Sequence, residues 1–157
     1  MKQILLFTSI ALASGLLFTN IYNSMIDAKS WGSDIPHSIE TARNYFKIVN
    51  PGNFFRIFSP LNQILALIVL IVFWKVYPTT RIYLGAALIL YVIGDVFTFA
   101  YFYPRNEIMF KETQLNGIEN IRNAWIGWNT MNWLRSLIVL AGIIFSFIGL
   151  HKFYTSI

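Results

Sequence analysis

No cysteine occurs among the 157 residues, which excludes disulfides, thiolate metal sites and thiol redox chemistry and leaves the compartment of the loops open. Charge is scarce too. Asp, Glu, Lys and Arg make up 12% of the chain, against 56% apolar and 17% aromatic residues, and the mean hydropathy is +0.56. A soluble domain carries about 25% charged residues, so this is the composition of an integral membrane protein. The two histidines, His37 and His151, fall in different regions of the chain and cannot pair as axial haem ligands. A metal site needs several His or carboxylates converging; none is expected, and no cofactor is assigned. No glycine-rich phosphate loop or Ser-His-Asp set is present. The net charge of +5 comes from basic residues at the edges of apolar runs and not from a basic stripe on a soluble face, which argues against a nucleic-acid partner.

What is present is four apolar runs, at about 4–22, 60–76, 82–103 and 128–150, each near the ~20 residues that a membrane span requires. They predict an all-α fold, a four-helix transmembrane bundle forming one domain over residues 1–157 with the lipid bilayer as its first partner. Ser59-Pro60 reads as the cap and first turn of the second helix, which then reaches Val76. Lys2 and Ala11-Leu-Ala13 fit the general pattern of a signal peptide, but the apolar run continues to Ile21 and favours a retained helix. Lys2, Lys75, Arg81, His151 and Lys152 mark one side, whose short connections hold no acid. Two long loops of nearly balanced charge, including Glu112, lie on the other. The density of basic residues predicts both termini in the cytoplasm, in a bacterial inner (plasma) membrane.

The first long loop, from Ser24 to Phe58, carries Ile39, Ala42, Tyr45, Phe46 and Val49 at helical spacing, which predicts a short amphipathic helix lying as a lid on the outer end. Asn50-Pro-Gly-Asn53 reads as a tight turn, and Phe54 to Phe58 as a return to the interface. In the second loop a break at Asn116-Gly117 precedes Ile118, Ile121, Trp125 and Trp128, so the last helix is expected to start well outside the bilayer. The five tryptophans, at 31, 74, 125, 128 and 133, read by default as interfacial belt residues. Gly15, Gly85, Gly94, Gly142 and Gly149 read as close-packing positions.

Polar residues collect at one end of the bundle. Trp128, Asn132 and Arg135 share a stripe of the fourth helix, and Asp95 is the acid inside the third apolar run. At ~1.5 Å per residue their depths agree to within a turn, which predicts an Asp95–Arg135 ion pair. Asn20 ends the first helix, Asn62 and Gln63 open the second, and Tyr101 tops the third, all on the same side. Polar groups in lipid must find partners inside the protein. The asymmetry therefore predicts a polar pocket open toward the outer face. Each amide alone reads first as interhelical glue, worth about 0.6 kcal/mol, whereas a buried charge marks a working site.

Four stretches, Asn20-Ile-Tyr-Asn-Ser-Met-Ile-Asp27, Asn50-Pro-Gly-Asn-Phe-Phe-Arg56, Tyr103-Pro-Arg-Asn106 and Trp128 to Arg135, resemble the anthrone-oxygenase-like family. These are small four-helix membrane proteins, in most members a domain of unknown function. The resemblance covers nearly the whole chain, and its most specific parts are Pro104 with Asn106 and Trp128 with Asn132 and Arg135. It implies a cofactor-independent oxygenase acting on a lipophilic small molecule, an anthrone-like aromatic. The implied catalytic residues are Asp95 as base, Arg135 as the cation holding an oxyanion and His37 as reserve base. Asn20, Asn62, Gln63, Tyr101, Trp128 and Asn132 would bind substrate, with Asn62 and Asn132 helping Arg135 to stabilise the oxyanion and Trp128 and Tyr101 flanking the rings. Two other readings stay open: a non-catalytic accessory subunit bound to other membrane-protein subunits, and a small transporter.

Overall fold

The computed structural model describes residues 2–75, 77–111 and 117–155. The expected helix end at Val76, the break at Asn116 and Glu112 lie outside the described residues. Helices in chain order are α1 (Lys2–Tyr22), α2 (Ala28–Trp31), α3 (His37–Tyr45), α4 (Pro51–Phe73), α5 (Pro78–Phe97), α6 (Tyr103–Asn106) and α7 (Ile118–Tyr154). π-helical turns over Asn23–Asp27, Thr98–Phe102 and Glu107–Lys111 join the short helices to the long ones. Four continuous rods result, Lys2–Trp31, Pro51–Phe73, Pro78–Lys111 and Ile118–Tyr154, each long and apolar enough to cross a membrane. The protein is an all-α integral membrane protein, as its composition requires.

The rods pack in the cyclic order α1, α4, α5, α7, with the α5–α7 seam the most extensive. Two separate cores hold them. The larger runs down the bundle through Leu6, Ile10, Ala13, Val69, Phe73, Leu84, Tyr91 and Ile143. Tyr91 fits here because Gly142 on α7 has no side chain: a Cβ there would lie 2.5 Å from the ring's Cε1. At Gly15, by contrast, a Cβ would meet nothing within 4 Å, so close packing does not explain that glycine.

The smaller core builds the lid. Ile39 and Ala42 of α3 are buried with Trp31, Phe102, Met109, Ile121 and Trp128. The amphipathic helix is as expected, but it stops at Tyr45, and Tyr45 and Val49 are exposed and not part of its buried face. Hydrogen bonds stitch the lid to the rods: Trp125 Nε1 donates to the Ala28 carbonyl at 2.6 Å, and Arg43 Nε to that of Met109 at 2.6 Å. Trp31, Trp125 and Trp128 are thus packing residues and not belt residues, while Trp74 and Trp133 are exposed.

Two helix boundaries differ from the expectation. α4 begins at Pro51, because Asn50 is extended (φ −135°, ψ 164°) and exchanges a capping box with Asn53, whose Oδ1 accepts the Asn50 N–H at 3.0 Å. Asn50 to Asn53 is a helix start and not a tight turn, and Pro60 lies inside the helix. Pro104 does not end the third rod, which continues to Lys111 with π-helical turns on either side of α6. Such widened turns let a helix absorb a missing N–H donor. α7 is one continuous helix from Ile118, and its 37 residues extend ~55 Å, well beyond the length that one span requires.

Candidate functional site

The lid halves of the four rods bring a polar layer together just beneath the aromatic core. Asn132 is fully buried, and its Nδ2 donates to the Asn20 carbonyl at 3.1 Å and to Ser24 Oγ at 2.6 Å. Because a backbone carbonyl can only accept, the Asn20 contact fixes which end of the Asn132 amide is which. Asn132 Oδ1 is left as a buried acceptor without a partner. Asn20 Nδ2 donates to Ser136 Oγ at 3.0 Å, and its Oδ1 accepts from Arg135 Nη2.

Arg135, 8% exposed, reaches from α7 to the end of α5, where its Nη1 donates to Thr98 Oγ1 at 3.1 Å. Its guanidinium lies 4.4 Å from the Phe102 ring centroid and 5.4 Å from that of Phe55. Neutral oxygens and the negative faces of aromatic rings surround this cation. Asp95 stands apart, half-buried on α5, with Ser59 Oγ donating to its Oδ1 at 2.7 Å and Gln63 Nε2 donating to its Oδ2. The expected Asp95–Arg135 ion pair is therefore corrected. The salt bridges within 4.0 Å among the described residues are His37–Glu40 and Lys111–Glu107, and neither involves Asp95 or Arg135. Both charges instead have neutral hydrogen-bond partners on neighbouring segments, Asp95 on α4, Arg135 on α1 and at the end of α5.

The other expected site residues separate. Asn62 is buried with Oδ1 unpartnered, and Trp128 is buried with Nε1 unpartnered, its ring edge-on to Trp31 and Phe102 at 5.1 and 5.5 Å. Tyr101 packs against Phe97 and Phe102 and carries the Arg105 guanidinium 3.4 Å over its ring. That places it in the lid. His37 sits on the exposed side of the lid, 3.9 Å from Glu40, and does not join the polar layer. Sequence reasoning missed Ser59, Thr98 and Phe55. The i, i+4 spacing of Ser59 with Gln63, and the place of Thr98 one turn beyond Asp95, were the signals available. Among the described residues no three His, Asp or Glu side chains gather as metal ligands.

The polar layer gathers at one end as expected. Where an outward mouth was expected, Trp31, Ile39, Phe102 and Met109 fill the space above it.

What this arrangement defines is a helical membrane protein with two separately held, opposite charges inside its spans. The sequence model of the anthrone oxygenase family matches residues 53–145, more than half of the chain, and the protein belongs to that family. The matched stretch contains Ser59, Asn62, Gln63, Asp95, Thr98, Asn132 and Arg135. No curated protein and no solved structure matches the chain.

Proposed function

We propose that the protein is a membrane oxygenase that oxidises a lipophilic, anthrone-like aromatic with O₂. The observation carrying this reading is Arg135, a buried cation whose contacts are all neutral, which leaves its charge free to meet an anion that forms during reaction. An anthrone has a CH₂ between two aromatic rings, opposite a ring ketone. Removal of one CH₂ proton delocalises the electron pair onto the ketone oxygen and gives an anion rich enough to reduce O₂. In the balanced reaction the CH₂ becomes C=O with one oxygen atom, and its two hydrogens leave with the other as water.

Asp95 takes the proton, oriented by Ser59 and Gln63. Arg135, held by Asn20 and Thr98, stabilises the oxyanion. Asn132 presents Oδ1, an acceptor, so its part is to receive a hydrogen bond from a substrate hydroxyl and not to stabilise the oxyanion. Trp128 offers a buried Nε1 donor from the same side of α7. Asp95→Asn keeps the shape of the side chain and removes the base. In detergent or nanodiscs it is expected to abolish anthrone-dependent O₂ uptake while helicity and elution volume stay unchanged; undiminished uptake would refute the role.

A further inference from the structure

We propose that the site is entered sideways from the bilayer, through the seam between α4 and α5 at Asp95, and not along the bundle axis through the lid. The inference rests on the reading of the polar layer as a substrate site and adds its route of access.

The axial route is closed by packing. Ile39, Phe102 and Met109 are almost wholly buried, Trp31 and Trp128 stack edge-on between them, and Trp125 and Arg43 bond the lid to the rods. Entry that way requires dismantling a core. The flank at Asp95 differs. Arg135 and Asn132 are sealed in, but Asp95 is half-exposed, and so are Ser59 and Gln63, which face it from α4.

What lies outside these three is apolar. Along the third rod the helix neighbours of Asp95 on its outer side are Val92 of α5 and Phe99 of the π-helical turn after it, 40% and 62% exposed; on α4 Leu67, one turn beyond Gln63, is 46% exposed, and Pro60 beside Ser59 is exposed. Within a membrane span such a surface is covered by lipid tails, so a molecule approaching the three polar groups from this flank crosses hydrocarbon and not water. The seam is also the looser side of α5, which packs more extensively on α7. Pro60 removes one backbone hydrogen bond from α4 next to Ser59. Three hydrogen-bonded polar groups thus stand at a lipid-facing seam between two helices. A flat apolar molecule dissolved in the membrane meets them without crossing water.

The test uses dicyclohexylcarbodiimide, which partitions into lipid, against a water-soluble carbodiimide, on the full chain in native membranes at acidic and neutral pH. The carboxyl proton moves to a carbodiimide nitrogen and the carboxylate oxygen bonds to the central carbon. The acyl group then migrates to nitrogen, giving an N-acylurea with no leaving group. The expected result is one adduct at Asp95 from the lipid-soluble reagent, absent in Asp95→Asn, while the water-soluble reagent modifies exposed carboxylates such as Glu40 and Glu119. No adduct at Asp95 at either pH, or equal modification by both reagents, overturns the lateral route. Protection of Asp95 by an anthrone is read separately: an adduct that forms without protection leaves the route standing and removes the anthrone reading.

Discussion

Arg135 and Asp95 bring opposite charges into the same half of the bundle without meeting as a contact ion pair. Arg135 is bonded to Asn20 and Thr98, Asp95 to Ser59 and Gln63. Contact pairs in a buried setting couple strongly, and removing one partner leaves an uncompensated charge. Charges held separately by neutral groups behave more independently. A double-mutant cycle with Asp95→Asn and Arg135→Gln, followed by unfolding in detergent, is expected to give a coupling below about 1 kcal/mol. The Asn20→Ala and Arg135→Gln cycle is expected to give the larger coupling. The reverse order would restore the direct pair.

Arg135→Lys is not a conservative change here. The guanidinium bonds Asn20 and Thr98 through two different nitrogens while its central carbon lies over the Phe102 ring. An ammonium is a compact, strongly hydrated point charge that cannot keep this geometry. It leaves Asn20 Oδ1 or Thr98 Oγ1 without its donor, at a cost of about 1–3 kcal/mol for a buried group. Thermal unfolding is expected to fall accordingly, and anthrone turnover to drop further than the loss of folded protein accounts for. A lysine variant with unaltered stability would show that the two bonds contribute little.

Gly142 sets the distance between α5 and α7. Its missing Cβ leaves room for the Tyr91 ring, whose hydroxyl lies 3.2 Å from Ser146 Oγ. Gly142→Ala is expected to destabilise the protein by about 1–3 kcal/mol through overpacking. Tyr91→Leu in the same chain removes the ring and should recover part of that loss, measured as unfolding in detergent. If the double variant is no better than Gly142→Ala alone, the ring is not what the methyl group meets.

The α4 start shows what the sequence reveals and what it conceals. Ser59-Pro60 carries the same local signal as Asn50-Pro51, a capping residue before a first-turn proline, and the apolar run beginning at Leu61 favours the later one. The earlier start prevails because Asn50 and Asn53 satisfy each other's backbone N–H groups. Apolar periodicity carried the four rods and the lid helix, because burial in lipid and in the lid core follows that pattern directly. The partners of Asp95 were not legible in the same way. Depth along a helix follows from residue counting, but which neighbouring helix a carboxylate faces depends on the cyclic order of packing, and that order leaves no local mark. Asn50→Ala is expected to cost about 1 kcal/mol of stability and to raise amide exchange in the first turn of α4, with little change beyond Pro60.

The placement of the basic residues predicts the sidedness of the bundle. Lys2, Lys75, Arg81 and Lys152 all lie at the end opposite the lid, where Lys2 Nζ is 5.4 Å from the Tyr77 ring centroid and the Arg81 guanidinium is 5.1 Å from that of Trp74. The connection between α4 and α5 is short, and basic residues in short connections orient a membrane protein most strongly, with the basic side inward. The lid side has basic residues of its own, but they are spread over longer segments together with Asp34, Glu40, Glu107 and Glu119. The cysteine-free chain makes single reporters unambiguous. With Ser33→Cys in the lid and Tyr154→Cys at the other end, a membrane-impermeant maleimide applied to intact cells is expected to label the first and not the second. Labelling of Tyr154→Cys alone would place the lid, and the aromatic core beneath it, on the cytoplasmic side.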